Sequence, residues 1–410
     1  MISVEKFSFF LYEQLLKPLC MHDWGFKPSH STELKDFTML NDIDNFSGRT
    51  AGRCIWWHEE PINYSNLDNI QHHLPTDDRL RPYGSAEFVV VPGEPKLIPL
   101  CLHMHDTNFH IFANSEISQK KRKYLKEWNV HDWYFFFHGF AALDWFRDFK
   151  YLSYSERQYQ PSKVFICLNH LITNNRSYRL YLLSQLKQKD LFKFGHISSP
   201  LLTKETIKKE LADFNCRLPI TAKKHILNNL LPIADPIKLD SINYNNASAS
   251  IDMHYSGQSL WHIVPETMYY DESLHLTEKI FKPIAIKRPF ILVGAPGNLA
   301  YLKSYGFKTF DRWIDESYDK ETDPERRIQM IADQIEKICE QDVKTMHAEM
   351  QDVLEYNHQH LYGKFKEIIV DELLWNFKKQ VNWYNLGCSE RHRLPIDRIN
   401  FEQVRRLMLS

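Results

Sequence analysis

Features that would assign this sequence to a specialised class of protein are absent. The first 20 residues interleave acidic and basic side chains with apolar ones, so we expect neither a signal peptide nor an N-terminal membrane anchor. The sequence also contains no internal repeat and no low-complexity tract. We therefore expect globular domains and no membrane span.

Cysteine and histidine do not occur at the spacings of a metal site. The seven cysteines are scattered, odd in number and without a CxxC pair, which indicates neither a zinc site nor a disulfide framework. The paired histidines (72 and 73, 103 and 105, 358 and 360) have no third ligand at metal spacing. We therefore expect no metal and no cofactor. The expected compartment is reducing: the cytoplasm, or the host cytoplasm if the protein is viral.

The net charge of the sequence is also close to zero. Lys and Arg number 51 against 52 Asp and Glu, a formal net charge of -1, so no global field gathers nucleic acid or an anionic membrane. A local basic groove is compatible with this balance.

A chain of 410 residues with 43% hydrophobic and 14% aromatic residues can bury two sizeable cores. We predict domains over 1–155 and 156–360, a polar linker over 152–162, and a C-terminal helical segment over 361–410.

The sequence does contain a strand–helix–strand pattern within residues 259–310. The apolar runs 260–264 and 289–293 are typical of buried strands. Between them, apolar residues recur at helical spacing over 275–288. In such a unit the N-terminus of the helix lies at the carboxyl edge of a parallel sheet, where phosphates and carboxylates bind.

Thr277, Glu278 and Lys279 fall in the first turn of this helix, and Lys282 lies one turn further on. A lysine can neutralise a diphosphate, a hydroxyl can donate to a phosphate oxygen, and a carboxylate suits the hydroxyls of a ribose. The tripeptide is equally compatible with a simple helix cap, because Thr followed by Glu is common at helix starts.

Two arginines occupy a comparable position after another predicted strand. The run 163–168 predicts a buried strand, and a helix is predicted from Tyr178. Arg176 and Arg179 therefore lie near the start of that helix, where they could grip a diphosphate. Arginines solvated on a helix face are the alternative interpretation.

The combined pattern resembles the signature of the α1,3-fucosyltransferases, a GT-B glycosyltransferase family. Glu266 corresponds to that family's upstream glutamate, and Thr277-Glu278-Lys279 to its TEK tripeptide. Thr267 replaces the family's asparagine, the gap to the tripeptide is longer, and His275-Leu276 replaces a tyrosine. The whole stretch 259–310 is also similar to glycosyltransferase-like proteins of large phages.

The resemblance implies an α/β fold of the GT-B type, with two Rossmann-like domains facing a cleft. The first domain would hold the acceptor and the second a GDP- or UDP-linked sugar, and the C-terminal helical segment would cross back to the first domain. The implied reaction is an inverting, metal-independent glycosyl transfer to a hydroxyl of a saccharide or another acceptor. The residues implied in donor binding are Arg176, Arg179, Glu266, Thr277, Glu278, Lys279 and Lys282.

Three residues of the first half are candidates for the catalytic base. Glu59 and Glu60 follow a predicted strand over 53–57 and are similar to a Glu-Ser-Pro element of the fucosyltransferases. His138 follows the aromatic run 133–137, which predicts another buried strand. An exposed acidic loop and a packed histidine are the respective alternatives.

Two further functions compete with transfer to a saccharide. One is glycosyl transfer to a modified DNA base, although the balanced charge argues against a nucleic-acid partner. The other is a non-catalytic nucleotide-binding protein of the same fold.

Overall fold

The computed structural model describes most of residues 131–410, with gaps at 153–160, 174–175, 201, 214–215, 231–247, 271–272, 388–389 and 391–392. Of the first 130 residues it describes 2–3, 7, 10–19, 87–89, 110–119, 122–123 and 126. The protein is a mixed α/β structure with parallel sheets. No helix of the described part combines the length and apolarity needed to cross a bilayer.

Within the described residues, all strands lie at or before Val293, and the regular elements after it are helices. The strands are β1 Glu87–Val89, β2 His110–Asn114, β3 His131–Tyr134, β4 Lys163–Leu168, β5 Gly195–Ser198, β6 Ser259–Pro265 and β7 Phe290–Val293. The α-helices are α1 Phe137–Trp145, α2 Tyr178–Gln188, α3 Lys204–Ala212, α4 Ile220–Asn229, α5 Met253–Gln258, α6 Glu278–Ala285, α7 Asn298–Ser304, α8 Pro324–Cys339, α9 Val343–Glu349, α10 Gln351–Tyr362, α11 Lys364–Gly387 and α12 Phe401–Leu409. Tyr12–Leu16 is π-helical, and short 3-10 helices cover Lys17–Leu19, Arg147–Tyr151, Phe192–Phe194, Glu316–Lys320 and Ile396–Arg398.

The chain forms two compact units. The first unit combines Met1–Asp144 with Lys366–Ser410, and the second is Trp145–Phe365. The first contains the sheet β1-β2-β3, whose strands pair in parallel. The second contains the parallel sheet β5-β4-β6-β7.

Aromatic packing builds the core of the first unit. The indole Nε1 of Trp133 donates to the carbonyl of Leu373 in α11 at 3.1 Å, and its ring lies 4.7 Å from the ring of Phe377. The predicted strand over 133–137 is wrong in its extent, because β3 ends at Tyr134 and α1 begins at Phe137. A continuous apolar run carries no period that separates a strand from a buried helix, and here all but the last residue of α1 are buried.

Most of the predicted elements of the second unit are confirmed. β4 covers the predicted residues, β6 and β7 lie where the two apolar runs indicate strands, and α2 begins at Tyr178. Strand β6 lies between β4 and β7 with every residue buried, as in a parallel sheet covered on both faces. Strand β5 begins at Gly195, directly after a 3-10 helix that ends at Phe194.

Helix α6 is shorter than predicted at both ends. Thr277 takes extended backbone angles and its hydroxyl accepts a bond from the N–H of Lys279, so the residues before Glu278 stay outside the helix. At the other end, Lys287 adopts a left-handed φ of 56°, which no α-helix can contain. Eight residues remain, with Lys279 in the first turn.

A buried histidine gives the second unit a sensitivity to acid. Burial, then the charge of Arg288 and that of Lys282, lower the pKa of His262 to about 3. Because its pKa is about 6.5 in the unfolded chain, the unfolded state binds more protons between these values, and stability is lost as the pH falls below 6.5.

Changing the pH from 7 to 5 should therefore cost about 2 kcal/mol through His262 alone. Urea unfolding at a series of pH values measures this slope. His262→Gln should flatten it, whereas the exposed His254→Gln is the matched control. An equal slope in both variants would contradict the assignment.

Candidate functional site

The strand order of the second unit creates a topological switch point. From β4 the chain passes to β5 on one side, and the later strands β6 and β7 lie on the other side. The connections that leave β4 and β6 therefore diverge at the carboxyl edge, where open α/β sheets bind ligands. Asn169 follows β4 directly at this edge, and Glu266 follows β6.

Glu266 is a fully buried carboxylate that fixes the start of α6. Its side chain accepts bonds from the backbone N–H of Thr277 at 3.2 Å, the hydroxyl of Thr277 at 2.6 Å and the N–H of Thr267 at 3.3 Å. The residue has 0% exposure. The carboxylate thus occupies a position where the helix dipole favours negative charge, and it holds the loop after β6 against α6. Direct contact between Glu266 and a donor stays a prediction.

Lys279 is the more accessible member of this cluster. Its ammonium lies 3.1 Å from the hydroxyl of Thr277, 3.1 Å from a carboxylate oxygen of Glu278 and 3.4 Å from the hydroxyl of Thr267. The Lys279 side chain is 33% exposed, whereas that of Glu278 is 6% exposed. The ammonium of Lys279 is therefore partly exposed at the start of α6. Anions bind at this end of a helix in parallel α/β sheets.

Arg179 is buried and holds the end of β6. Its Nη2 donates to the carbonyls of Pro265 at 2.8 Å and Glu266 at 3.1 Å, and its Nη1 donates to the carbonyl of Leu171 at 2.9 Å. The phenol of the neighbouring Tyr178 donates to the same Glu266 carbonyl. In this arrangement Arg179 links the loops after β4 and β6, and its predicted grip on a diphosphate stays a prediction.

A second anchor also holds the loop after β6. Arg327 of α8 donates to the carbonyl of Tyr269 at 2.6 Å and to that of Glu321 at 2.7 Å. Its guanidinium lies 4.1 Å from the centre of the Tyr269 ring, which stacks at 4.2 Å on the ring of Tyr178. The residues before Arg327 are rich in charge, but Arg327 is 1% exposed. The polar composition around it contains no signal for this burial.

Two buried polar atoms at the same edge have no hydrogen-bond partner within the described chain. They are Oδ1 of Asn169 and Oγ of Ser273. The side-chain Nδ2 of Asn169 donates to the carbonyls of Cys167 and Ser198. Buried groups of this kind are rare in folded proteins and are commonly satisfied by a ligand or an ordered water.

The next helix start along the sheet is already occupied. Helix α7 follows β7, and the carboxylate of Asp319 accepts bonds from the N–H groups of Leu299 at 2.9 Å and Ala300 at 3.0 Å. Burial raises the pKa of Asp319. An internal carboxylate thus fills the anion position of α7, whereas the switch point lies at the loops after β4 and β6.

The settings of the remaining predicted residues differ. Arg176 is half-buried before α2, and Lys282 is half-buried one turn into α6, where its charge contributes to the lowered pKa of His262. His138 is buried in the first turn of α1 in the other unit, not at a strand end, which corrects its predicted setting. Glu59 and Glu60 lie outside the described residues.

No group of three or more His, Cys, Asp or Glu side chains in the described part of the chain is placed to hold a metal ion. Comparison of the chain with protein-family models, with curated proteins and with solved structures gave no match.

Proposed function

We propose that the second unit binds a nucleotide-diphosphate sugar at the carboxyl edge between β4 and β6, and that the protein is a glycosyltransferase of the GT-B type. The observation that carries the proposal is the position of Lys279 and the α6 N-terminus at the β4–β6 switch point. Ligands of open α/β sheets bind at such a point, and a helix start with a lysine suits a diphosphate.

Lys279 is the group of this cluster that suits a leaving diphosphate. The Lys279 ammonium has three contacts, of which the 3.4 Å contact with Thr267 is the longest. A phosphate oxygen can replace that contact without disturbing the bonds that hold Thr277 to Glu266. Lys279 and the helix N-terminus would then stabilise the charge that develops on the leaving group during transfer.

The catalytic base belongs to the same proposal, with Glu59, Glu60 and His138 as candidates. An inverting transfer needs a group that accepts the proton of the acceptor hydroxyl. GDP- and UDP-linked sugars are the donors proposed, and a saccharide hydroxyl is the acceptor proposed. A transfer assay distinguishes this proposal from two alternatives, which are transfer to a DNA base and nucleotide binding without catalysis.

Nucleoside diphosphates should raise the melting temperature of the full chain. At ten times the dissociation constant, GDP or UDP should add about 1.4 kcal/mol, or about 3–6 °C. Lys279→Ala should remove this shift, because the ammonium is the cation presented at the start of α6. Lys337→Ala, at an exposed lysine of α8, is the matched control and should keep it.

Four results decide the proposal. If no nucleoside diphosphate shifts the melting temperature at millimolar concentration, or if both lysine variants keep the shift, the donor site is wrong. A shift without donor hydrolysis or transfer to any acceptor would show nucleotide binding without catalysis. Transfer that requires DNA would replace the saccharide acceptor.

A further inference from the structure

Helix α11 presents large apolar side chains to the solvent. Trp375 is 67% exposed, Trp383 56% and Leu386 82%. On the opposite side of the helix, Leu373, Phe377 and Val381 are buried in the core of the first unit. Exposed apolar groups scattered singly need no explanation, but three on one helix form a patch of the kind that marks an interaction surface.

These three side chains project from the same side of the helix. At 100° per residue, Trp375 and Leu386 are separated by about 20° around the axis, and Trp383 lies about 80° from Trp375. The distance along the axis from Trp375 to Leu386 is about 16 Å. The patch is therefore a ridge along one helix, which we call the α11 ridge.

Two lysines lie beside the α11 ridge. Lys378 and Lys379 are exposed on this part of the helix, and the ammonium of Lys379 lies 4.7 Å from the centre of the Trp383 ring. The carboxylate of Asp371, on the same side, is bound by Arg405 at 2.5 and 3.1 Å. Residues 364–410 contain nine Lys and Arg against six Asp and Glu, although the whole chain has a formal net charge of -1.

We propose that the α11 ridge docks on an anionic lipid surface, with its axis parallel to the membrane. Tryptophan favours the level of the headgroups, and an exposed leucine can enter the boundary of the acyl chains. The flanking lysines complement anionic headgroups. A convex ridge with cations along it matches a flat charged surface better than a protein partner, whose hot spots fill pockets. This proposal is independent of the glycosyltransferase proposal.

Flotation of the full chain with lipid vesicles tests the proposal. Vesicles of phosphatidylcholine mixed with phosphatidylglycerol should bind the protein, and vesicles of phosphatidylcholine alone should bind it at least about tenfold more weakly. Salt should weaken the binding. The double variant Trp375→Ala and Trp383→Ala should lose about tenfold or more in binding, and Lys378→Gln with Lys379→Gln should reduce the preference for anionic vesicles.

Tyr151→Ala is the matched control, since Tyr151 is an aromatic residue with 80% exposure in the other unit. It should bind vesicles like the unchanged protein. All variants should keep the melting temperature, because each replaced side chain is exposed. The proposal is overturned if the unchanged protein does not bind anionic vesicles, or if the tryptophan variant binds them as well as the control does. It is also overturned if light scattering shows an oligomer that the tryptophan variant dissolves, or if that variant melts several degrees lower with unchanged vesicle binding.

Discussion

Glu266→Ala is expected to lower the free energy of unfolding of the second unit by about 3 kcal/mol. The fully buried carboxylate accepts three hydrogen bonds, two of them from Thr277 at the start of α6. Its removal leaves these donors without a partner and takes a negative charge away from the helix N-terminus. Urea unfolding followed by circular dichroism measures the change.

Two further variants make the Glu266 experiment specific. Glu266→Gln keeps one acceptor oxygen but turns an NH₂ group toward existing donors. We therefore expect its free energy of unfolding to lie between that of the unchanged protein and that of Glu266→Ala. Glu340→Ala removes an exposed carboxylate at the end of α8 and should change stability by less than about 0.5 kcal/mol. Equal stabilities for the Glu266→Ala and Glu340→Ala variants would show that the carboxylate does not hold α6.

Arg327→Met is expected to cost about 3 kcal/mol and to weaken nucleotide binding. The methionine fills the space of the arginine stem, but it loses the bonds to the carbonyls of Tyr269 and Glu321 and the contact with the Tyr269 ring. Tyr269 then keeps its stack on Tyr178 but loses the guanidinium, which loosens the loop after β6. Unfolding and nucleotide titration of the same preparation measure both effects.

Arg326→Met is a close control for this substitution. Arg326 precedes Arg327 in α8, its side chain is 70% exposed, and it pairs with Glu321 at 3.2 Å. Surface pairs of this kind contribute little, so we expect a change below about 1 kcal/mol and unchanged nucleotide binding. If the two methionine variants behaved alike, the buried anchor would have no special role.

The sequence predicts much of the sheet of the second unit because its strands are short apolar runs bounded by polar or turn residues. Strand β4 is confirmed over its full length. Local chemistry also explains helix starts: Asp323 accepts a bond from the N–H of Arg326 at 2.7 Å, and Thr277 caps α6. The same local signals place Lys279 in the first turn of α6.

The burial of Arg179 and Arg327 could not be predicted from the sequence. Both follow polar residues at a helix start, a setting that is equally typical of solvated side chains. Their partners are carbonyls that are 86 and 58 residues away in the chain, at Pro265 and Tyr269. A backbone carbonyl has no sequence signature, so only the folded chain shows that these charges hold the loop after β6.

Hydrogen–deuterium exchange with GDP and with UDP tests most directly whether the β4–β6 switch point is the ligand site. Saturating nucleotide should slow exchange at the amides of residues 266–270 and in the first turn of α6, and Lys279→Ala should abolish this protection. The start of α7 should stay unchanged, since Asp319 already occupies it. Two results, under conditions where the nucleotide binds, would contradict the assignment of the site. One is protection that is confined to α7, and the other is no protection at residues 266–270 and in the first turn of α6.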